Sequence, residues 1–309
     1  MPELLDPSGA RREVVVEWFN GHAGHFYAVA RRLAKSRTRF QDAELLETPF
    51  LGRVLSLDGM TQAAESGEFE YHEALAHPAL LAHPDPRRVL VIGGGDGGIL
   101  REVLRHPSVE RAVVVELDGD VVRFSAETLP EVSDGAFDDA RARVEIADGR
   151  AFVESAEAGS FDVVIMDMTD PGGPSLPLYT EEFFRAARRA LSGEDGVFAM
   201  HAESPVARPA AFASIHATLA RAFPKVRLAF AYARMYGTLW SYAFASVASD
   251  PVRPAPGRLE AAFAGPLSGL RLLDAESYRA LFAGAPWLRE LLARPAKVIT
   301  DADPEFPEE

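Results

Sequence analysis

The chain of 309 residues contains no cysteine. It therefore forms no disulfide, offers no thiolate nucleophile and cannot hold zinc or an iron–sulfur cluster through sulfur. Basic residues are also scarce, because 32 lysines and arginines stand against 46 aspartates and glutamates, for a formal net charge of −14. That balance argues against general binding to nucleic acid or to an anionic membrane, since both need a basic face.

Long apolar runs are missing as well. No stretch approaches the roughly 18 apolar residues of a membrane span. The first residues, Met1–Asp6, lack the basic start and apolar run of a signal peptide. We therefore expect a cytoplasmic protein that partners neither nucleic acid nor membrane. With 48% hydrophobic and 25% charged residues, the composition is that of an ordinary globular protein.

The N-terminal part is rich in short runs that are typical of strands. They cover Val14–Phe19, Phe40–Glu47 and Gly52–Gly59, and the segment between the last two, Thr48–Leu51, is typical of a hairpin connection. These runs predict a small antiparallel β domain at residues 1–60, ahead of a larger catalytic domain at residues 61–309.

From Arg88 onward, short apolar runs alternate with amphipathic segments. The predicted strands are Val89–Ile92, Ala112–Glu116, Val144–Ala147, Val163–Asp167, Gly196–His201, Val226–Ala231 and Tyr242–Val247. The predicted helices are Gly98–Arg105, Gly119–Thr128, Thr180–Leu191 and Pro209–Ala222. This alternation predicts an α/β fold with a doubly wound parallel sheet, which binds ligands beyond the carboxyl ends of its strands. Beyond the sheet we expect a short helical tail, with residues 303–309 frayed.

A glycine-rich turn follows the first of these strands. Gly93, Gly95 and Gly98 satisfy the pattern G-x-G-x-x-G, which usually lets a backbone turn approach a dinucleotide pyrophosphate. This turn, however, carries a carboxylate, Asp96, which would oppose a pyrophosphate and favour a cation. Glu116, 23 positions after Gly93, stands where a carboxylate would hold a ribose diol. Together they indicate a nucleoside with a positively charged appendage, such as an S-adenosyl sulfonium compound.

Each of these acids has a plainer interpretation. Asp96 could cap a helix, Glu116 could be a solvated strand end, and Asp148-Gly149 could be a simple turn. Their occurrence at three successive strand ends favours a ligand site. The fourth strand ends in Asp167-Met168-Thr169-Asp170, which places two more carboxylates at the same edge. The eight histidines are scattered and form no pair with metal-ligand spacing, so we expect no metal site.

A series of motifs resembles the spermidine synthase family of polyamine aminopropyltransferases. They run in order from Trp18 to Leu291: Asp58-Gly59-Met60-Thr61-Gln62, Tyr71-His72-Glu73, His83-Pro84, Val89–Gly98, Val115–Asp118, Gly135–Asp139, Asp148–Phe152, Asp167–Pro174 and Trp240–Ser246. The resemblance implies a Rossmann-like, methyltransferase-type sheet. It also implies transfer of an aminopropyl group from decarboxylated S-adenosylmethionine, as co-substrate, to an amine, with release of 5′-methylthioadenosine and with no prosthetic group.

The resemblance also implies roles for individual residues. Asp167 would be the catalytic base. The donor would be held by Asp96 at its ammonium, Glu116 at its ribose, Asp148 with Gly149 at its adenine, Pro174 beside the adenine, and Gln41 together with the Gly93–Gly95 turn. The amine would be held by Gln62, His72 and Asp170, with Tyr71, Glu203 and Tyr236 as further candidates. The family suggests a homodimer or homotetramer assembled through the N-terminal β domain.

Two departures from the family pattern lie beside the expected amine site. Members usually show Glu-Arg-Asp-Glu where this chain has Glu65-Ser66-Gly67-Glu68, and His201 stands where a glutamine is common. We expect conversion of putrescine to spermidine, with agmatine or a longer polyamine as alternative acceptors.

Three other hypotheses about function compete with that of an aminopropyltransferase. An S-adenosylmethionine-dependent amine N-methyltransferase on the same fold is the chief rival, and Asp96 counts against it because a carboxylate there repels the methionine carboxylate. A non-catalytic amine-binding homologue would be expected to lack Asp167, which is present. A nicotinamide dehydrogenase is disfavoured because the acidic turn is poorly suited to a pyrophosphate.

Overall fold

The computed structural model describes residues 2–309. Its N-terminal part consists of antiparallel β-structure, as the sequence predicts. The three-stranded sheet contains β1 (Glu3–Leu5), β2 (Arg11–Trp18) and β3 (Gly24–Ala28), and the four-stranded sheet contains β4 (Arg31–Arg37), β5 (Asp42–Thr48), β6 (Gly52–Leu57) and β7 (Met60–Ala64). The expected hairpin joins β5 to β6, with Thr48 opposite Gly52. The predicted division after residue 60 falls within β7.

A long helix, α1 (Glu68–Ala82), follows at once and was not foreseen in the sequence. Fourteen of its fifteen residues are buried, so it lacks the one-sided apolar stripe by which a surface helix is recognised. Pro78 lies inside it and further disguises it, because proline usually interrupts a helix. This helix matters to function, since it carries Tyr71 and His72.

The second part is built on a seven-stranded sheet. Its strands are β8 (Arg88–Gly93), β9 (Arg111–Glu116), β10 (Ala142–Ile146), β11 (Val163–Asp167), β12 (Val197–His201), β13 (Lys225–Ala233) and β14 (Thr238–Ser246). They lie in the order β10-β9-β8-β11-β12-β14-β13. The first five are parallel, which confirms the doubly wound sheet. Strand β14 runs antiparallel to β12, and β13 and β14 run antiparallel to each other. They form a hairpin, because the four residues between them are too few for a crossover.

Helices cover both faces of this sheet and continue beyond it. They are α2 (Gly98–Leu104), α3 (Gly119–Thr128), α4 (Pro130–Ser133), α5 (Gly149–Ser155), α6 (Glu181–Ala190), α7 (Pro209–Ala222), α8 (Arg258–Ala264), α9 (Ala275–Leu281) and α10 (Pro286–Leu292). Successive residues of β8 enter different cores: Val89 and Val91 pack in one, Leu90 and Ile92 in the other. Burial on both faces explains why the strands read as continuous apolar runs. Across residues 2–309, no helix is both long and apolar enough to cross a membrane.

The C-terminal segment does not fray as expected. Phe306 packs edge-on against the ring of Tyr179, with 5.8 Å between centroids. The side chain of Glu309 accepts hydrogen bonds from the amides of Ala210 and Ala211 at the start of α7. A carboxylate at a helix N-terminus satisfies otherwise unpaired amides, which explains why this segment is held.

Candidate active site

A cavity of about 640 Å³ opens at the carboxyl edge of the parallel sheet. The order of strands reverses there between β8 and β11, which is where doubly wound sheets bind ligands. The β5–β7 region closes the other side. Among the described residues, the lining holds eight carboxylates, three imidazoles and one guanidinium: Glu17, Asp58, Asp96, Glu116, Asp118, Asp167, Asp170, Glu203, His25, His72, His201 and Arg208. So acidic a cavity suits a cationic ligand.

The glycine turn between β8 and α2 is shaped by close packing. Gly93 has φ +80°, which favours glycine, and a Cβ there would collide with the carbonyl oxygen of Asp167. The neighbouring Gly94 amide donates to that carbonyl at 2.9 Å. At Gly98 a Cβ would enter the imidazole ring of His72. The turn therefore brings β11 and α1 against the start of α2.

Asp96 fits both interpretations that the sequence left open. Its Oδ1 accepts a hydrogen bond from the amide of Gly98, the first residue of α2, at 2.8 Å, so Asp96 helps to cap the helix from the residue before the N-cap, Gly97. Its Oδ2 lies 3.6 Å from His72 Nε2 and lines the cavity. Burial alone would raise the pKa of Asp96, but the His72 imidazolium outweighs it and holds that pKa below its ordinary value. Asp96 is thus a fixed negative charge in the cavity wall.

His72 is held in place by a buried ion-pair network. Its Nδ1 lies 2.6 Å from Glu68 Oε2, and Glu68 in turn accepts from Arg101 at 2.7 Å. Although burial favours the neutral ring, the carboxylates of Asp96 and Glu68 raise the pKa of His72 to about 10. Ligand atoms of His72, Asp96 and Asp167 lie within 4.8 Å of one another, a spacing that a metal could use. A metal would have to displace the proton that Asp96 and Glu68 favour on His72, and we interpret the group as an ion-pair network.

Asp167 ends β11 and faces the same space. Its Oδ1 accepts a hydrogen bond from the Tyr71 hydroxyl at 2.9 Å. Burial and the charge of Asp96 raise the pKa of Asp167 to about 7, against the lowering effects of His72 and Tyr71. A carboxyl group whose pKa lies near neutral pH can accept a proton from a bound amine.

Glu116 and Gln41 both line the cavity, and both contact Asp118. Glu116 Oε1 accepts from the Asp118 amide at 2.9 Å. Burial raises the pKa of Glu116 to about 7. Gln41 Nε2 donates to Asp118 Oδ2 at 3.2 Å, and Thr38 donates to the same atom at 2.6 Å. The β domain is thereby joined to the residues after β9.

Asp148 and Gly149 lie apart from the other predicted donor residues. Asp148 is exposed, and its Oδ1 accepts from the Ala151 amide as the N-cap of α5. A Cβ on Gly149 would meet Ile92 Cγ2 at 2.6 Å, so this glycine allows α5 to approach β8. Neither residue belongs to the cavity lining.

The residues predicted for the amine do converge on the cavity. Gln62, Tyr71, His72, Asp170, Glu203 and Tyr236 all line it, as does Pro174. The Tyr236 hydroxyl donates to the Gln62 carbonyl at 3.4 Å. His201, one of the two family departures, also lines the cavity, with Nε2 2.9 Å from the Met168 carbonyl.

Three residues that shape the cavity were not predicted from the sequence. Arg101 and Glu68 brace His72, and Arg208 enters the cavity beside Asp170. Glu68 could have been suspected from its position four residues before His72 on one helix. Arg208 lies in the loop before α7, and no sequence signal distinguishes it from the other arginines of the chain.

The sheet order, the acidic cavity at its switch point and the capping β domain define a methyltransferase-type α/β enzyme with an acidic ligand cavity. Comparisons with known proteins make the assignment specific. Residues 68–252 match the spermine/spermidine synthase domain, and residues 17–65 match the spermidine synthase tetramerisation domain. The chain belongs to the spermidine synthase family and is an aminopropyltransferase.

Individual relatives and solved structures cover between 77% and 96% of the chain. A polyamine aminopropyltransferase of Nitrosomonas europaea is 38% identical over 298 residues, covering 96% of this chain and 91% of that protein. One from Thermotoga petrophila is 41% identical over 240 residues, covering 77% and 80%. A crystal structure of spermidine synthase with the transition-state analogue AdoDATO superposes with TM-score 0.85, at 36% identity, covering 94% and 98%. Spermidine synthase from Thermotoga maritima gives TM-score 0.81, also at 36% identity, covering 90% and 94%.

Proposed function

We propose that this enzyme transfers the aminopropyl group of decarboxylated S-adenosylmethionine to putrescine, forming spermidine and 5′-methylthioadenosine. The observation that carries the proposal is that Asp96, Glu116 and Asp167 line one cavity. Among the described residues, the lining of that cavity contains eight carboxylates and one guanidinium. Such a cavity favours a sulfonium nucleoside and an ammonium-bearing acceptor over phosphorylated ligands.

In this scheme, Asp96, Glu116, Gln41, Pro174 and the Gly93–Gly95 turn form the donor half of the cavity. Asp96 would pair with the ammonium of the donor's aminopropyl arm, and Glu116 would accept hydrogen bonds from the ribose hydroxyls. An adenine extending beyond the cavity along α5 would meet Asp148 and Gly149, as the family resemblance implies.

The acceptor half comprises Gln62, Tyr71, His72, Asp170, Glu203 and Tyr236. An alkylammonium must lose a proton before it attacks carbon, which costs about 4.6 kcal/mol at pH 7 (roughly 3.4 units at 1.36 kcal/mol each). Asp167, whose pKa is raised to about 7, would accept that proton. The nitrogen lone pair then forms the N–C bond, and the C–S electron pair returns to sulfur, which becomes a neutral thioether.

We expect the rest of the rate acceleration to come from alignment of the attacking nitrogen with the carbon that it attacks. The reaction destroys the sulfonium charge, so a negative site gains little by binding the transition state more tightly than the substrate. Holding the nucleophile in line with the methylene next to sulfur is worth more. Asp170 would hold the far ammonium for this purpose. Its side chain is 44% exposed, at the outer part of the cavity.

An oligomer assembled through the N-terminal β domain, as a homodimer or homotetramer, is part of the proposal. Trp18 on β2 and Phe26 on β3 lie on one face, and they are 65% and 63% exposed. Large apolar side chains grouped on a surface are typical of an interface. Light scattering coupled to size-exclusion chromatography would report twice or four times the 33.6 kDa of one chain.

The deciding experiment incubates the purified protein with either donor and with putrescine, agmatine, cadaverine or spermidine, followed by mass spectrometry. We expect methylthioadenosine and an aminopropylated product from the decarboxylated donor, with putrescine the best acceptor. S-adenosylmethionine should yield nothing. A methylated amine, or no methylthioadenosine from the decarboxylated donor, would refute the proposal.

A further inference from the structure

Arg208 brings a positive charge of the protein's own into the acceptor half. Its Nη1 lies 2.8 Å from Glu203 Oε1 and 3.7 Å from Asp170 Oδ2. No other lysine or arginine among residues 2–309 lines the cavity. The guanidinium therefore sits between two carboxylates, as a ligand ammonium would.

Glu203 is built into this position rather than being a chance surface acid. It is fully buried, and its backbone has φ +65°, which is uncommon for a residue other than glycine. The Ser241 amide and hydroxyl both donate to the Glu203 carbonyl, at 3.1 and 2.6 Å. Within the described residues, Glu203 Oε2 has no hydrogen-bond partner. Among the described residues, Glu203 is therefore a buried carboxyl group with one oxygen that makes no hydrogen bond.

The loop that carries Arg208 is equally well held. Ser204 Oγ accepts from the amides of Val206 and Ala207, and the Arg208 amide donates to the Ser204 carbonyl at 2.8 Å. Asn20 from the β domain donates to the Ala207 carbonyl at 2.8 Å. The backbone is fixed, while the Arg208 side chain remains 23% exposed and faces the cavity.

The charges form a series along the cavity. Asp170 follows Asp167, the last residue of β11, by three positions, and Tyr236 lines the cavity together with both of them. Burial and the charge of Asp170 raise the pKa of Glu203, which Arg208 opposes. Asp170 Oδ2 lies 3.7 Å from Arg208 Nη1, so Asp170 connects the end of β11 with the Arg208–Glu203 pair. An acceptor with one far ammonium ends at Asp170, whereas a third ammonium would extend to the guanidinium.

We propose that Arg208 is a specificity-determining residue that takes the place of a third ammonium, so that the enzyme accepts diamines and disfavours triamines. This inference rests on the function proposed above. Two like charges brought together in a partly buried site repel strongly. When the guanidinium is removed, the added ammonium takes its place beside Asp170 and Glu203, and it opposes the raised pKa of Glu203 as Arg208 does.

The test compares kcat/KM for putrescine and spermidine, at saturating decarboxylated donor, in the wild type and in Arg208→Met. We expect the spermidine-to-putrescine ratio to rise by about tenfold or more in the variant, as for a gained charged contact. Arg208→Lys, which keeps the charge, should retain the wild-type ratio. Arg279→Met, which removes an exposed arginine paired with Glu260, is the matched control and should change nothing. Arg208→Gln replaces the methionine variant if that one fails to fold.

Calorimetric binding of each amine to the same proteins separates the two hypotheses. If the wild type makes product but Arg208→Met leaves both the kinetic ratio and the spermidine affinity unchanged, Arg208 does not set specificity. A wild type that already prefers spermidine would also overturn the inference. If no protein makes product, the proposed function fails, and the change in spermidine affinity alone then decides the role of Arg208.

Discussion

The two halves of the cavity are assembled in different ways. In the donor half, Gly93, Asp96 and Glu116 stand at or directly after the ends of buried parallel strands, so the sheet itself sets their positions. The acceptor half collects side chains from α1, the loop after β12 and the turn between β13 and β14. A site fixed by strand ends tolerates little change, whereas one gathered from loops can alter its specificity without disturbing the sheet.

Asp167 belongs to the boundary between the halves, and its replacement should have the largest effect. Asp167→Asn keeps the shape of the side chain but removes the base, so we expect kcat to fall by about 10²–10⁴-fold. The affinity for methylthioadenosine, measured by calorimetry, should stay within a few-fold of the wild type. Turnover close to the wild-type level would remove Asp167 from the role of base.

Replacement of Gly98 tests whether both halves of the cavity depend on the close contact between Gly98 and the His72 ring. In Gly98→Ala the new methyl group would enter the His72 ring, and overpacking of this kind costs about 1–3 kcal/mol. We expect a lower free energy of unfolding and weaker binding of both substrates. Gly135→Ala is a poor control because Gly135 has φ +77°, so Gly21→Ala, where a Cβ meets nothing within 4 Å, is the better match. Equal stability of Gly98→Ala and the wild type would contradict the packing described here.

The raised pKa of Asp167 also predicts a dependence of stability on pH. The unfolded chain releases this proton near pH 3.8, whereas the folded protein holds it until about pH 7. Stability should therefore decrease as the pH rises through that window. Ligand-free Asp167→Asn should show a higher Tm than the wild type at pH 8, with the difference shrinking towards pH 4. Asp170→Asn, at a more exposed position, is the control, and a difference that grows towards pH 4 would have the wrong sign.

Tyr71 should have the smallest effect, confined to the pH profile. Its hydroxyl donates to Asp167 and lowers the pKa of that carboxyl. Because the base is active when ionised, kcat/KM should rise with pH through about 7 in the wild type. In Tyr71→Phe this rise should move to higher pH by about one unit or less, the size of a lost hydrogen bond. An unchanged midpoint would show that Tyr71 only positions the amine.

Without the family resemblance, the sequence is most informative about the residues at the strand ends, because the sheet sets their positions. The resemblance supplied the residues predicted for the amine, all of which line the cavity, whereas Asp148 and Gly149 do not. Apolar runs that end in Glu116 and Asp167, or that end in the glycine turn before Asp96, mark strand ends directly, and their shared edge follows from parallel pairing. Helix α1 was missed because burial on all sides erases its periodicity. The acceptor half depends on contacts between distant segments, such as Arg208 with Asp170, and no local pattern predicts those.

We expect Asp96 to select a nucleoside whose side chain ends in an ammonium without a neighbouring carboxylate. The most direct test of this selection is the ratio of dissociation constants for S-adenosylmethionine and its decarboxylated form, measured by calorimetry. We predict that the wild type binds the decarboxylated compound at least about tenfold more tightly, and that Asp96→Asn loses most of this preference. Equal affinities in the wild type, or an unchanged ratio in Asp96→Asn, would contradict the account.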